Sequence, residues 1–360
     1  MLLLERCAAV PEKNHEHRGV WMKFGVFDHL DDSGLPLHEH YRNRLNLVEL
    51  YDREGLYCYH LAEHHTTPLG TAPSPGIFLS AIAQRTRRIR FGPLVYTLPF
   101  YHPLRLIEEI CMLDHLSGGR LQLGVGKGVS PFELGYYGIA AKESQSRYFE
   151  SLDVLRRGLG SDSLDHDGDF YSFRDVPMTM RPLQQPHPPL WYGTNSPEAA
   201  GWAAANEVNV VSLLPAGQAR AITDRYRREW TALGHDENAI PFMGVSRLLV
   251  VAETDAEALD IAGRAYRRWR SSFRWLWEKH GNTDYIERFA PPEFSDMMQW
   301  GGGFAGTPAS VRDYITREIE DGGINYLIAS LMFGDMRENE ATASATLYAQ
   351  EVIPAFNGEE

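Results

Sequence analysis

From Met22 onward, short runs rich in β-branched and aromatic residues alternate with longer runs whose apolar positions recur at helical spacing. Residues 23–27 read as a strand. Residues 41–54 read as a helix with Leu45, Val48 and Tyr51 on one face and Gly55 as its stop. The alternation continues with a strand at 56–61, a helix at 75–85 opened by a proline in its first turn, and a strand at 89–96. A helix at 103–115 presents Leu106, Ile110 and Leu113 together, and a strand follows at 120–125. After a helix at 147–157 the rhythm breaks. Residues 166–173 and 177–184 predict a small β excursion, and the Pro-rich run 185–189 predicts a stiff connector. Strands at 190–193, 208–211 and 242–251 then alternate with helices at 197–205, 219–233 and 256–277. Residues 279–305 show no period and predict a long loop, which inside a compact domain is usually functional. A helix at 308–320, a strand at 325–331 and a helix at 342–352 complete the pattern.

Eight β-then-α steps imply parallel pairing through helical crossovers. The expectation is an α/β fold, a (β/α)8 TIM barrel with insertions in the loops at its C-terminal face, spanning residues 22–360 as one domain. Residues 1–10 are mildly apolar but carry Glu5 and Arg6 and do not read as a signal peptide, residues 11–18 are polar and unpatterned, and 1–21 are expected to form a loosely ordered N-terminal extension. A net charge of −13 disfavours a nucleic-acid partner, since little would neutralise phosphates in bulk. No apolar run approaches the ~20 residues that span a bilayer, so no membrane association is expected. Cys7, Cys58 and Cys111 are odd in number, widely spaced and outside any CxxC pair. That excludes a disulfide framework and points to a reducing, cytoplasmic setting.

In such a barrel the chemistry sits where strands end, at the C-terminal edge. After the second strand stand Glu63, His64 and His65; a histidine there can take or give a proton near neutral pH. The run His60-Leu-Ala-Glu63-His64 matches a zinc-peptidase pattern, but that site needs a helix, and this run reads as strand and loop. No metal is expected. After the third strand, Pro93 and Pro99 suit a rigid crossing over the barrel mouth, and His102 is either functional or the cap of the next helix. After the fourth, Gly124-Val-Gly126-Lys127-Gly128 combines close backbone approach with a positive charge. After the fifth, Gly193-Thr194-Asn195-Ser196-Pro197 opens a helix and is either an anion site or ordinary capping by Ser196. The glycines at 301–303 and 306 lead to another helix start and predict either a lid or a plain connector.

With these residues assembled, the chain resembles the bacterial-luciferase-like flavin monooxygenase superfamily. The resemblance runs from Met22 to Phe356. It is carried by MKFGVF, LAEHHT, the long run FGPLVYTLPFYHPLRLIEEICMLDHLSGGRLQLGVGKG, then HDGDFYSF, QPHPPLWYGTNSPEAA, GTPASV and FGDM. It implies an FMN pocket at the barrel mouth, with His64 as the catalytic histidine beside the flavin's reactive edge. Leu94 and Val95 would form the backbone crossing, often a cis peptide, that supports the ring. Gly126 and Lys127 would lie beside ring and phosphate, and Asn195 and Ser196 would bind the phosphate. The implied cofactor-binding set is Glu63, Leu94, Val95, His102, Gly126, Lys127, Thr194, Asn195 and Ser196. Bacterial luciferase itself carries a reactive cysteine, an arginine and a glutamate at the positions of Gly126, Lys127 and Asn195. The expectation is therefore a relative of luciferase that departs from its exact chemistry, with no claim of light emission.

The resemblance further implies reduced FMN and O2 as co-reactants, an NAD(P)H-dependent flavin reductase as supplier, and a homodimer. The alternatives are hydride transfer with the deazaflavin F420, and a flavin-binding protein without activity. Phe273, Trp275, Trp277, Phe289, Phe294 and Trp300 cluster near the unpatterned segment and suggest either a pocket for a small, apolar organic substrate or ordinary core packing.

Overall fold

The computed structural model describes residues 22–356, so the expected extension 1–21 lies outside the described residues. In chain order the elements are β1 (Lys23–Asp28), α1 (Leu37–Glu54), β2 (Cys58–Leu61), α2 (Pro75–Arg85), β3 (Arg90–Pro93), β4 (Tyr96–Thr97), α3 (Pro103–Ser117) and β5 (Leu123–Gly126). They continue with α4 (Pro131–Tyr136), α5 (Ser144–Gly160), β6 (Ser163–Asp167), β7 (Ser172–Pro177), β8 (Leu190–Gly193), α6 (Pro197–Ala205), β9 (Asn209–Ser212) and α7 (Ala216–Ala232). The last are β10 (Met243–Val251), α8 (Asp255–Lys279), α9 (Asp284–Glu287), α10 (Phe294–Trp300), β11 (Gly303–Gly306), α11 (Pro308–Gly322), β12 (Tyr326–Ser330) and α12 (Glu338–Leu347).

The barrel is a (β/α)8 barrel of parallel strands. β1 pairs with β2 on one edge and β12 on the other, and the sheet continues through β10, β9 and β8 to β5. It closes through the third strand. β3 pairs with β2, and two residues later β4 pairs with β5; Phe91 and Leu121 bridge the same seam. Every residue of β2, β5, β9, β10 and β12 is buried, as expected of strands covered on one face by the barrel interior and on the other by helices. Side-chain caps set several helix starts on the mouth side. Ser130, Ser196, Thr254 and Thr307 each accept a backbone N–H in the first turn that follows them.

Four expectations are corrected. The third strand is interrupted at Leu94–Val95, whose peptide is cis, where the pattern showed one run from 89 to 96. The β excursion is a hairpin of β6 and β7, and residues 178–184 are not a strand. Helix α1 begins at Leu37, a turn earlier than its apolar face shows. The segment 279–305 is largely built, holding α9, α10 and β11, a ninth parallel strand that pairs with β10 beyond the point where β9 ends.

The barrel is a packed core at its N-terminal end. Trp191, Tyr326 and His60 are fully buried there, with Tyr57 and Phe242 packed against them. Their polar atoms are satisfied: Trp191 Nε1 donates to Gln122 Oε1 at 2.7 Å, and His60 Nε2 lies 2.9 Å from the Tyr326 hydroxyl. Gly92 makes room for this layer, because a Cβ there would sit 1.8 Å from the Gln122 carbonyl oxygen. His60 thus points into the core from a strand, not toward His64 across a helix. Among the described residues no group of three His, Cys, Asp or Glu side chains is placed to hold a metal ion. No helix among them is long and apolar enough to cross a membrane.

Candidate active site

Above the packed layer the strand ends open into a cavity of about 480 Å3. All eight barrel positions contribute to its wall, from Phe27 at the end of β1 to Ser330 at the end of β12. Of the ten residues singled out in the sequence, Glu63, His64, Leu94, Val95, Gly126, Lys127, Thr194 and Asn195 line it. His102 does not. It is exposed at the start of α3 and packs edge-on against Tyr171 and Phe173 of the hairpin. Ser196 sits just behind the wall, and its hydroxyl accepts from Ala199 N and donates to Glu198 Oε2 at 2.6 Å, so it is committed to the helix cap.

His64 is held by a residue that the sequence reading missed. Its Nδ1 lies 3.2 Å from Oε1 of Glu133, whose Oε2 accepts the backbone N–H of His65 at 3.2 Å. Glu133 is itself buried, and its N–H bonds to Ser130 Oγ at the start of α4. A carboxylate at Nδ1 puts the ring hydrogen there and leaves Nε2 with its lone pair. The His64 side chain is 18% exposed and lines the cavity. Against the other face of His64 stacks His29, with ring centroids 5.8 Å apart. His29 directly follows β1, so the rule that singled out the other strand ends applied to it as well.

Glu63 and His65 form a buried support beneath this pair. Glu63 Oε1 accepts from His65 Nε2 and from the Tyr101 hydroxyl, both at 2.8 Å, and Oε2 accepts the Thr97 N–H at 2.7 Å. His65 Nδ1 in turn lies 2.8 Å from the Tyr137 hydroxyl. Burial raises the Glu63 pKa against the pull of these hydrogen bonds. The carboxylate ties the end of β2 to β4 just past the Leu94–Val95 crossing.

At the opposite wall, β5 and β8 pair at Leu123 with Leu190 and Gly124 with Trp191. Beyond that pairing, Gly126 and Lys127 at the end of β5 and Gly193 and Thr194 ahead of α6 line the same cavity. A Cβ added to Gly193 would meet nothing within 4 Å, so open space lies against its backbone. Lys127 is exposed and forms no ion pair among the described residues. Asn195 Oδ1 is held by Ser212 Oγ and Leu213 N at 2.9 and 3.2 Å, which leaves its Nδ2 as a donor for the cavity. A cation, an amide donor and a helix N-terminus meeting beside open space suit a phosphate.

The far side is apolar. Trp269, Phe273, Leu276 and Trp277 of α8 line it together with Phe289, Met297 and Trp300 of the 280–302 segment. Two aromatics named from the sequence are elsewhere: Trp275 is 38% exposed with Lys279 over its ring, and Phe294 is buried against Tyr266.

A parallel barrel with a cavity at its mouth, lined by a lysine near a helix start and by a set of aromatic side chains, is a common enzyme architecture. Residues 22–325 match the model of the family described as luciferase-like monooxygenase. The chain belongs to that family. It is 42% identical over 333 residues to the uncharacterized protein y4wF of Sinorhizobium fredii, covering 92% of this chain and 96% of that one. It is 28% identical to 4-hydroxyprotoasukamycin monooxygenase of Streptomyces nodosus, covering 91% and 89%. It is 30% identical to the oxygenase component of the flavin-dependent trigonelline monooxygenase of Acinetobacter baylyi, over 52% of this chain and 53% of that one. Among solved structures, the monooxygenase RslO1 of Streptomyces bottropensis superposes with a TM-score of 0.81 at 28% identity, covering 93% and all of the two chains. The oxygenating constituent of 3,6-diketocamphane monooxygenase of Pseudomonas putida, in complex with FMN, shares the fold with a TM-score of 0.77 at 20% identity, covering 92% and 98%.

Proposed function

We infer that this chain is the oxygenase of a two-component system, taking reduced FMN from a separate NAD(P)H-dependent flavin reductase and using O2 to oxygenate a small apolar organic molecule. One observation carries the reading. A single cavity is lined by His64, held by Glu133, by Lys127 near a helix start suited to phosphate, and by aromatic side chains suited to an apolar reactant. The flavin dependence and the component organisation named for the trigonelline enzyme, and the FMN held by the diketocamphane enzyme, support the same cofactor here.

The residues fit the group. Lys127, the Asn195 amide and the start of α6 would hold the phosphate, and Gly126, Leu94 and Val95 would wall the ring. Bound reduced flavin supplies the electrons that activate oxygen. The chain's own share is orientation, exclusion of water and proton handling. His64 Nε2 takes or gives the proton, and Glu133 fixes its tautomer. Glu63, with both oxygens already engaged, positions the Thr97 backbone and His65.

The test is anaerobic titration of the protein with reduced FMN and, separately, reduced F420, followed by a pulse of air with spectra recorded. Tight FMN binding and an oxygen-dependent transient support the proposal. Binding of F420 alone with no oxygen consumption replaces it with hydride transfer. With a turned-over substrate in hand, His64→Ala is expected to keep FMN affinity within about threefold while product per flavin oxidised falls about 100-fold, the scale of a lost general acid–base group. Unchanged coupling would remove His64 from the chemistry.

A further inference from the structure

His29 is placed in the cavity wall by a buried ionic turn. Asp28 Oδ1 accepts the Leu30 N–H at 2.7 Å, and Leu30 takes a φ of 50°. Arg44 reaches Asp28 at 3.1 Å and Asp31 at 3.6 Å, all three side chains being buried. The His29 ring meets Phe27 edge-on at 4.8 Å, stacks on His64 and lies 5.9 Å from Trp269. Trp269 Nε1 donates to His29 Nδ1 at 3.4 Å. An indole N–H can only donate, so Nδ1 is the acceptor and a neutral ring carries its hydrogen on Nε2. Among the described residues Nε2 has no hydrogen-bond partner. Burial above all, with the Arg44 cation nearby, pushes protonation of His29 well below its usual pH. Its role is therefore that of a neutral donor and not of a cation.

We propose that His29 determines substrate specificity, its Nε2–H bonding an oxygen acceptor on an uncharged, mainly apolar molecule held by the aromatic end. The proposal rests on the monooxygenase reading for where the substrate lies. The two histidines divide the work: His64 Nε2 offers a lone pair and His29 Nε2 a hydrogen. On the aromatic side the cavity walls of Phe273, Leu276, Met297 and Trp300 are apolar, so they supply no competing partner for that hydrogen. A site built to hydrogen-bond one oxygen rejects the analogue that lacks it, because the protein donor is then left unmet. A neutral imidazole gives a carboxylate no ionic anchor.

The test compares three matched probes, 2-acetylnaphthalene, 2-ethylnaphthalene and 2-naphthoate, by calorimetry on the FMN-loaded protein. The ketone is expected to bind about tenfold more tightly than the hydrocarbon, the worth of one well-placed hydrogen bond. His29→Phe keeps a ring against Phe27 and Trp269 and is expected to erase that preference; His29→Gln, which restores a donor, is expected to recover part of it. Equal binding of ketone and hydrocarbon to the parent protein overturns the proposal, as does a preference that survives in a folded His29→Phe. Tightest binding of the naphthoate, unchanged in His29→Phe, also overturns it and assigns recognition to Lys127. FMN is titrated in parallel. Failure of FMN to bind strikes the cofactor reading alone, and the probe comparison is then made on the flavin-free chain.

Discussion

At the scale of single residues, the site separates charges that act on a ligand from charges that act on the protein. Glu63 and Glu133 both border the cavity, yet both spend their oxygens on neighbours. Lys127 spends nothing, and that difference is testable. Lys127→Ala is expected to weaken FMN about tenfold and to leave riboflavin, which lacks the phosphate, within about twofold, the range for losing one charge-assisted contact near the surface. Fluorescence titration with both flavins decides it; equal losses would place Lys127 away from the phosphate. The residue types at strand ends pointed to His64, Gly126, Lys127 and Asn195, and all four line the cavity. Glu133 was not legible, because its bond to His64 joins positions 69 residues apart, and nothing in local spacing encodes it. His102 misled for the opposite reason: it stands in the right stretch of chain, but α3 begins on its C-terminal side and turns it onto the hairpin.

Two helices with a clear period, α2 and α6, coincide with the sequence limits. Within 279–305, elements too short for a period were not read. α9 has four residues and α10 seven, one to two turns each, and β11 is Gly-Phe-Ala-Gly, which shows no strand alternation. Tertiary contacts hold these pieces over the aromatic end. Arg274 of α8 pairs with Glu278 at 2.7 Å and with Glu287 of α9 at 2.5 Å. Arg270 donates to the carbonyls of Ala290 and Pro291 at 2.9 Å, and the Tyr266 hydroxyl donates to Pro291 at 2.7 Å. The Arg274–Glu287 pair is the shorter of two ionic ties between α8 and α9, the other being Arg270–Glu287 at 4.0 Å. Arg274→Ala is therefore expected to speed proteolytic cleavage within residues 281–293 severalfold while leaving FMN affinity unchanged, since local opening tracks the loss of local ties. Limited trypsin or subtilisin digestion measures the first and flavin titration the second. Cleavage at the parent rate would show that the Arg270 and Tyr266 bonds suffice to hold the segment.

For the molecule as a whole, the eight β-then-α steps announced a barrel, but not how it closes or what fills it. Closure runs through a strand broken at Leu94–Val95, and the filling includes a titratable ring, His60, with no exposure at all. Burial lowers the His60 pKa from 6.5 to about 3, because the charged imidazolium would lose its hydration among Trp191 and Tyr326. Between those values the unfolded chain binds a proton that the folded barrel does not. Stability therefore rises with pH from about 3 to 6.5, by at most about 1.4 kcal/mol per pH unit from this residue, and is flat above. His60→Gln keeps a polar partner for the Tyr326 hydroxyl and removes the titration. Urea unfolding of both proteins is expected to show a stability difference, parent minus variant, that grows from pH 4 to 6.5 and then stays constant to pH 8. A difference constant across the whole range would mean that the ring takes up protons equally in both states, which a sealed barrel floor does not allow.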